Sequence, residues 1–196
     1  MTLTKVVQVF AVFGILGLFV QIASIIVNIS GLESTFSIYL NVLAWILVMF
    51  GAIAVYLRQF ENLGKLGFFS IVIMLIAFVW TIGYVELVGF SLPVIHELNP
   101  SANFENLSDY GPISEAGFTS SILILVGEVL YGLSIYLYSK LTRWPGALIM
   151  IAGVLNVFGS LIDILGLISY ISLPIAILWM CIKVLKTGRI ASKGHN

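Results

Sequence analysis

Lys5 is followed by VVQVFAVFGILGLFVQIASIIVNI, residues 6–29, an apolar run whose only polar side chains are Gln8, Gln21, Ser24 and Asn28. A helix needs about 20 mostly apolar residues to cross the hydrocarbon core of a bilayer. The run is too long for a signal-peptide core, and no small-x-small cleavage site follows it. It is therefore expected to remain as a membrane span. Lipid offers the backbone no hydrogen-bond partner, so such a span must be helical.

Working outward, five more runs of this kind follow, and the spans are predicted at 6–29, 36–57, 66–90, 118–139, 146–166 and 169–187. Turn chemistry separates them: Ser30-Gly31, Asn62-Leu63-Gly64 and Trp144-Pro145-Gly146. A turn of only a few residues, Gly166 to Ser169, makes the last two spans an antiparallel hairpin. The expected fold class is all-α, a polytopic bundle of six transmembrane helices forming a single domain over 1–196. Composition agrees. Of the 196 residues 60% are hydrophobic and 9% charged, against roughly 25% charged in a soluble domain. Too few polar side chains remain to wet the whole surface.

The placement of charge sets the orientation. With the N-terminus inside, the inner segments hold Lys5; Arg58 and Lys65; Lys140 and Arg143; and Lys183, Lys186, Arg189 and Lys193, which are all nine basic residues. The outer segments hold acids instead: Glu33, Glu97, Glu105, Asp109 and Glu115. By the positive-inside rule both termini are expected in the cytoplasm. The basic tail, 188–196, fits topology and attraction to anionic lipid, not nucleic acid. The one long connection, 91–117, lies outside and carries turn signals at Asn99-Pro100, Asn106-Leu107-Ser108 (also a glycosylation sequon) and Tyr110-Gly111-Pro112. Residues 91–98 are expected to form a short surface helix capped by Ser91 with Pro93 in its first turn. A faint repeat relates Val55-Tyr56-Leu57 to Ile135-Tyr136-Leu137, and Ser91-Leu92-Pro93 to Ser172-Leu173-Pro174.

Ionisable groups at membrane depth mark candidate sites. Glu128 lies about ten residues into the fourth span, near mid-bilayer. Ser121, Tyr131, Gly132 and Tyr138 share its helix face at three- and four-residue spacing. It reads either as a carboxylate that binds a proton or cation, or as a protonated carboxyl hydrogen-bonded to a neighbouring helix. The fifth span offers a matching face of Ala152, Gly153, Asn156, Gly159, Ser160 and Asp163, extended by Gly146 and Gly166. Small residues let helices approach closely, and a Glu128–Asn156 contact is expected. Gln21, Asn28, Asn41, Trp80, Thr81, Tyr84 and Glu86 gather toward the outer half. With Glu128 and Asp163 they would line an acidic cavity open to the outside, suited to a proton, a cation or a small neutral solute.

No Gly-x-Ser-x-Gly elbow, His-Glu-x-x-His or phosphate-binding loop occurs, so the chain is not expected to be an enzyme. One cysteine, Cys181, allows no internal disulfide. Two histidines, His96 and His195, cannot ligate a pair of haems, and no metal or other cofactor is expected.

Tyr131-Gly132, followed by the basic inner loop Lys140-Leu141-Thr142-Arg143-Trp144-Pro145 and a helix that starts at Gly146 and runs past Gly153, resembles a pattern of prokaryotic six-helix integral membrane proteins of unassigned activity. That resemblance covers about the last 70 residues. It implies a multi-pass protein of the cytoplasmic membrane and brings no site residues with it. Size and span number are also similar to the substrate-binding subunits of vitamin transporters driven by an energy-coupling module. Those carry Ala-x-x-x-Ala in the first span, where this chain reads Phe10-Ala11-Val12-Phe13-Gly14-Ile15-Leu16-Gly17. The leading expectation is a small permease-like or solute-binding protein. The alternative is a non-catalytic subunit that packs against other membrane chains or its own copies.

Overall fold

Helix α1 (Leu3–Ile29) takes up the first apolar run, about 40 Å of helix at 1.5 Å per residue. Ser30 ends it, its hydroxyl turning back to the Val27 carbonyl at 2.8 Å. The computed structural model describes residues 2–30, 34–99, 111–159 and 162–193, and of Ser34, His96, Asp163 and 188–193 the backbone alone. Glu33, Pro100, Glu105, the Asn106-Leu107-Ser108 sequon, Asp109, Tyr110, Ser160 and His195 lie outside the described residues.

Helix α2 (Ser34–Glu86) is nominally continuous, but Gly64 sits at φ 56°, ψ −149° inside it. Two ring pairs reveal what that residue does. Trp45 and Phe78 have centroids 5.6 Å apart, and Tyr39 and Phe90 4.8 Å. In one straight helix the first pair would be about 50 Å apart. The chain therefore reverses at Gly64, where a side chain would strain the backbone, and α2 is two antiparallel arms.

The second arm runs through a π-helical stretch, Leu87–Ser91, into α3 (Leu92–Leu98). The expected short helix is present with Pro93 in its first turn, but not as a separate element capped by Ser91. Ser91 has helical angles and makes no capping bond, so α3 continues the arm. α4 (Gly111–Tyr138) begins well before the predicted 118, with Gly111-Pro112 as its first residues and not as a turn; proline suits a first helical turn, where its missing N–H costs nothing. α5 (Trp144–Gly159) and α6 (Asp163–Lys193) follow. The break between them falls after Gly159, not at Gly166 to Ser169 as expected, because Gly159 and Gly166 pack against each other instead of turning. A Cβ on Gly159 would stand 2.6 Å from the Gly166 Cα.

All elements among the described residues are helical. Four stretches are long and apolar enough to cross a membrane: Leu3–Ile29, Thr35–Ile95, Gly111–Tyr138 and Ile164–Thr187. α5 is apolar but shorter, at 16 residues. Large apolar side chains such as Phe19, Phe69, Val79, Phe118 and Ile164 stand exposed around the bundle. Such a surface suits a chain embedded in lipid, which unlike water exacts no cost for it.

The first arm of α2 is the centre of the packing. Ala44, Val48, Ala52, Ala54 and Val55 are wholly buried. Its backbone meets α1 where Gly14 crosses Gly51, and α6 lies against the same point through Ile177 and Cys181. α4 meets it through Tyr131, whose hydroxyl donates to the Ala52 carbonyl at 2.8 Å. Further hydroxyls bridge helices: Ser24 with Ser37, Thr81 with Ser120 and Ser139 with Gln59. Each such bond contributes about 0.6 kcal/mol, so close packing of small residues dominates.

Candidate functional site

Four helices surround Glu128. α4 carries it 17 residues after Gly111 and 10 before Tyr138, about 26 Å and 15 Å along the helix. The carboxyl sits against Gly153 of α5, where a Cβ would come within 2.9 Å of the Glu128 Cβ. Only a glycine leaves room for it there. Glu128 is 5% exposed, and its Oε2 finds no hydrogen-bond partner among the described residues.

The carboxyl borders a cavity of about 220 Å³. Asn41 and Trp45 come from the first arm of α2, Thr81 and Tyr84 from the second. Ser120 and Ser121 join from α4, Asn156 from α5, and Ser169 and Tyr170 from α6. Asn41 Oδ1 is likewise buried without a partner. Leaving a buried polar atom unpaired costs about 1–3 kcal/mol, and more when it is charged. Among the described residues no Lys, Arg or His lines the walls. Pro174 inside α6 has no N–H to give to the Tyr170 carbonyl four residues earlier.

A second hollow of about 560 Å³ lies beside it, bounded by Ser24, Asn28, Ser37, Asn41 and Tyr170. Asn41 and Tyr170 line both, so they form the wall between them. Trp45 braces Tyr170 edge-on at 5.8 Å. Behind it Gln21 is 1% exposed, and neither amide atom makes a hydrogen bond of good geometry. The Tyr170 hydroxyl lies near enough to Gln21 and Ser24 to interact with both.

Of the residues expected from the sequence, Glu128, Asn156, Tyr84, Asn41, Thr81 and Ser121 come together around one cavity. Tyr131 does not line it, being tied to the Ala52 carbonyl a turn farther along α4. Gln21 stands behind Tyr170, outside the lining. Glu86 is exposed on the outside of the second arm, and Tyr138 is 49% exposed, off the inward face assigned to it. Trp80 also faces outward, its indole N–H donating to the Ala116 carbonyl at 3.0 Å. Asp163 opens α6 and does not end α5, and its side chain lies outside the description. Sequence reading missed Trp45, Ser120, Ser169 as a lining residue, and Tyr170. An aromatic or a serine inside an apolar run gives no sign of its neighbours; the one local signal was Pro174, which marks where α6 loses a backbone bond.

Chemically the arrangement is one carboxyl among amide, hydroxyl and carbonyl oxygens. A divalent ion draws on several carboxylates, and no group of three His, Cys, Asp or Glu suited to a metal occurs among the described residues. One carboxyl matches a single positive charge. No family model matches the chain, and no curated protein or solved structure matches it.

Proposed function

We propose that the chain is a permease-like or solute-binding membrane protein whose Glu128 cavity takes a proton or a small monovalent cation from the outer face. The observation that carries this reading is the Glu128 Oε2, buried in a polar-walled cavity with no hydrogen-bond partner and no basic lining residue among the described residues. A carboxyl kept only for packing would be expected to find a donor, since buried polar groups are normally paired. The second hollow supplies an approach. It is polar at Ser24, Asn28 and Ser37, and shares Asn41 and Tyr170 with the inner cavity.

The same reading makes the bundle a six-span protein with both ends in the cytoplasm. The reversal at Gly64 supports two crossings within α2, and α5 reaches about 24 Å without a charged residue. Arg58, Lys65, Lys140, Arg143, Lys183 and Lys186 then fall on one side with Lys5, and the second hollow opens on the other. The role is binding and passage, not catalysis.

The test is thermal unfolding of purified protein with sodium, potassium, methylammonium or tetramethylammonium, repeated for Glu128→Gln. At least one cation should raise the wild-type Tm by several degrees and leave the variant unmoved. Equal responses of the two proteins to all four ions would reject the cation site and leave Glu128 a packing residue, as in an accessory subunit.

A further inference from the structure

A lipid-facing groove of about 580 Å³ runs along the second arm of α2, lined there by Leu75, Val79, Trp80, Gly83 and Tyr84, and touches α4 at Ala116. It is apolar along its length, and the one indole N–H in its wall is already used on the Ala116 carbonyl. The groove and the Glu128 cavity meet at Tyr84, which lines both. On α4 the two spaces are separated by one residue step, with Ala116 in the groove and Gly117 in the cavity wall. The Tyr84 ring lies on Gly117 so closely that a Cβ there would be 2.8 Å from its hydroxyl. Tyr84 thus borders both an acidic polar chamber and an apolar groove.

We propose that, besides the outer approach open to a small cation, the cavity has a lateral entrance from the membrane, past Tyr84, for a single-chain amphiphile with a monocationic headgroup. The proposal rests on the cation-binding reading above and names its ligand class. The headgroup would sit at Glu128 among Asn41, Asn156 and Tyr170, and the alkyl chain along Leu75, Val79 and Trp80. Charge selects this occupant. A phospholipid phosphate would meet a carboxyl and no basic side chain, and a neutral chain would leave Glu128 Oε2 and Asn41 Oδ1 unpaired. Tyr84 suits a gate, because its side chain, packed on Gly117, is the one that lines both spaces.

The probes are dodecyltrimethylammonium and tetramethylammonium, which share a headgroup and differ in the chain. Their binding is measured on protein in zwitterionic nanodiscs, with empty nanodiscs subtracted. The dodecyl cation should bind at least tenfold tighter than tetramethylammonium, and Glu128→Gln should lose both. Gly83 faces the groove with no atom within 4 Å of a Cβ placed on it, so Gly83→Phe is the first variant chosen to fill the groove. It should erase the chain-length preference while tetramethylammonium still binds; Gly83→Leu is the second blocking variant should the first fold poorly. Equal affinity for the two cations, or a preference that survives both blocking variants, overturns the lateral route while leaving the cation site standing. Dodecyl binding that survives Glu128→Gln also overturns it and makes the groove an acyl-chain slot. Absence of any Glu128-dependent binding overturns the cation site itself, and the lateral route with it.

Discussion

Replacing Gly64 by alanine isolates the one backbone position on which the α2 hairpin turns. The residue holds φ 56°, ψ −149°, a region essentially reserved for glycine, where a non-glycine residue costs about 1–3 kcal/mol. A Cβ at 64 meets no atom within 4 Å, so conformational strain is the whole penalty. Gly83 provides the matched control. It too is open to a Cβ but lies in regular helix, where glycine to alanine gains about 0.5–1 kcal/mol. Gly64→Ala should therefore be less stable than Gly83→Ala by about 1.5–4 kcal/mol, roughly ten- to several-hundredfold in the unfolding constant. The assay is reversible unfolding in mixed micelles with rising SDS, followed by tryptophan fluorescence. A parallel readout is crosslinking of Tyr39→Cys with Phe90→Cys in a Cys181→Ser background by a short bifunctional maleimide. Those rings are 4.8 Å apart in the hairpin and would be about 76 Å apart along one straight helix. Equal stability of the two alanine variants, or failure of the wild-type backbone to crosslink, refutes the role given to Gly64.

Gly132→Ala places a Cβ 2.6 Å from the Gly146 carbonyl oxygen. Only backbone movement relieves that contact, so the variant should lose about 1–3 kcal/mol in the same unfolding assay. Tyr131→Phe removes the bond to the Ala52 carbonyl and should cost about 0.6 kcal/mol, up to about 1.7, while cation-dependent stabilisation is retained; loss of that response would move Tyr131 into the site. In Cys181→Ser cells, an impermeant maleimide applied from outside should label Ser30→Cys and leave Lys140→Cys untouched until the cells are broken. The opposite pattern would invert the proposed orientation.

The helical runs and the Gly64 reversal were legible because each has a local cause: unbroken hydropathy in one case, Asn62-Leu63-Gly64 in the other. The α5–α6 break was misread because Leu161 and Ile162 keep hydropathy high through it, and because Gly166 signals a turn and a close crossing equally well. Site residues divide in the same way. Glu128 and Asn156 stood out as polar groups at depth, and the glycines between them were correctly read as a face. A helical face does not say which of its residues meets a cavity and which meets a neighbour, so Tyr131 and Glu128 looked alike. Tyr170, Trp45 and Ser120 became visible only once α2, α4 and α6 were brought together.

The first arm of α2 is surrounded on completion, yet it is made early. Its backbone contact to α6 joins Gly51 to Ile177 and Cys181, and 118 residues separate Leu63 from Cys181 (181 − 63). At roughly 5–20 residues per second, synthesis takes roughly 6–24 seconds to supply that partner. Throughout the interval the arm's polar side chains, Asn41 and Gln59 among them, must wait at the insertion site or face lipid. Biogenesis is therefore a matter of holding one helix in reserve, and the variants that most impair accumulation in cells should be those that slow the arrival of α6, even where the finished bundle tolerates them.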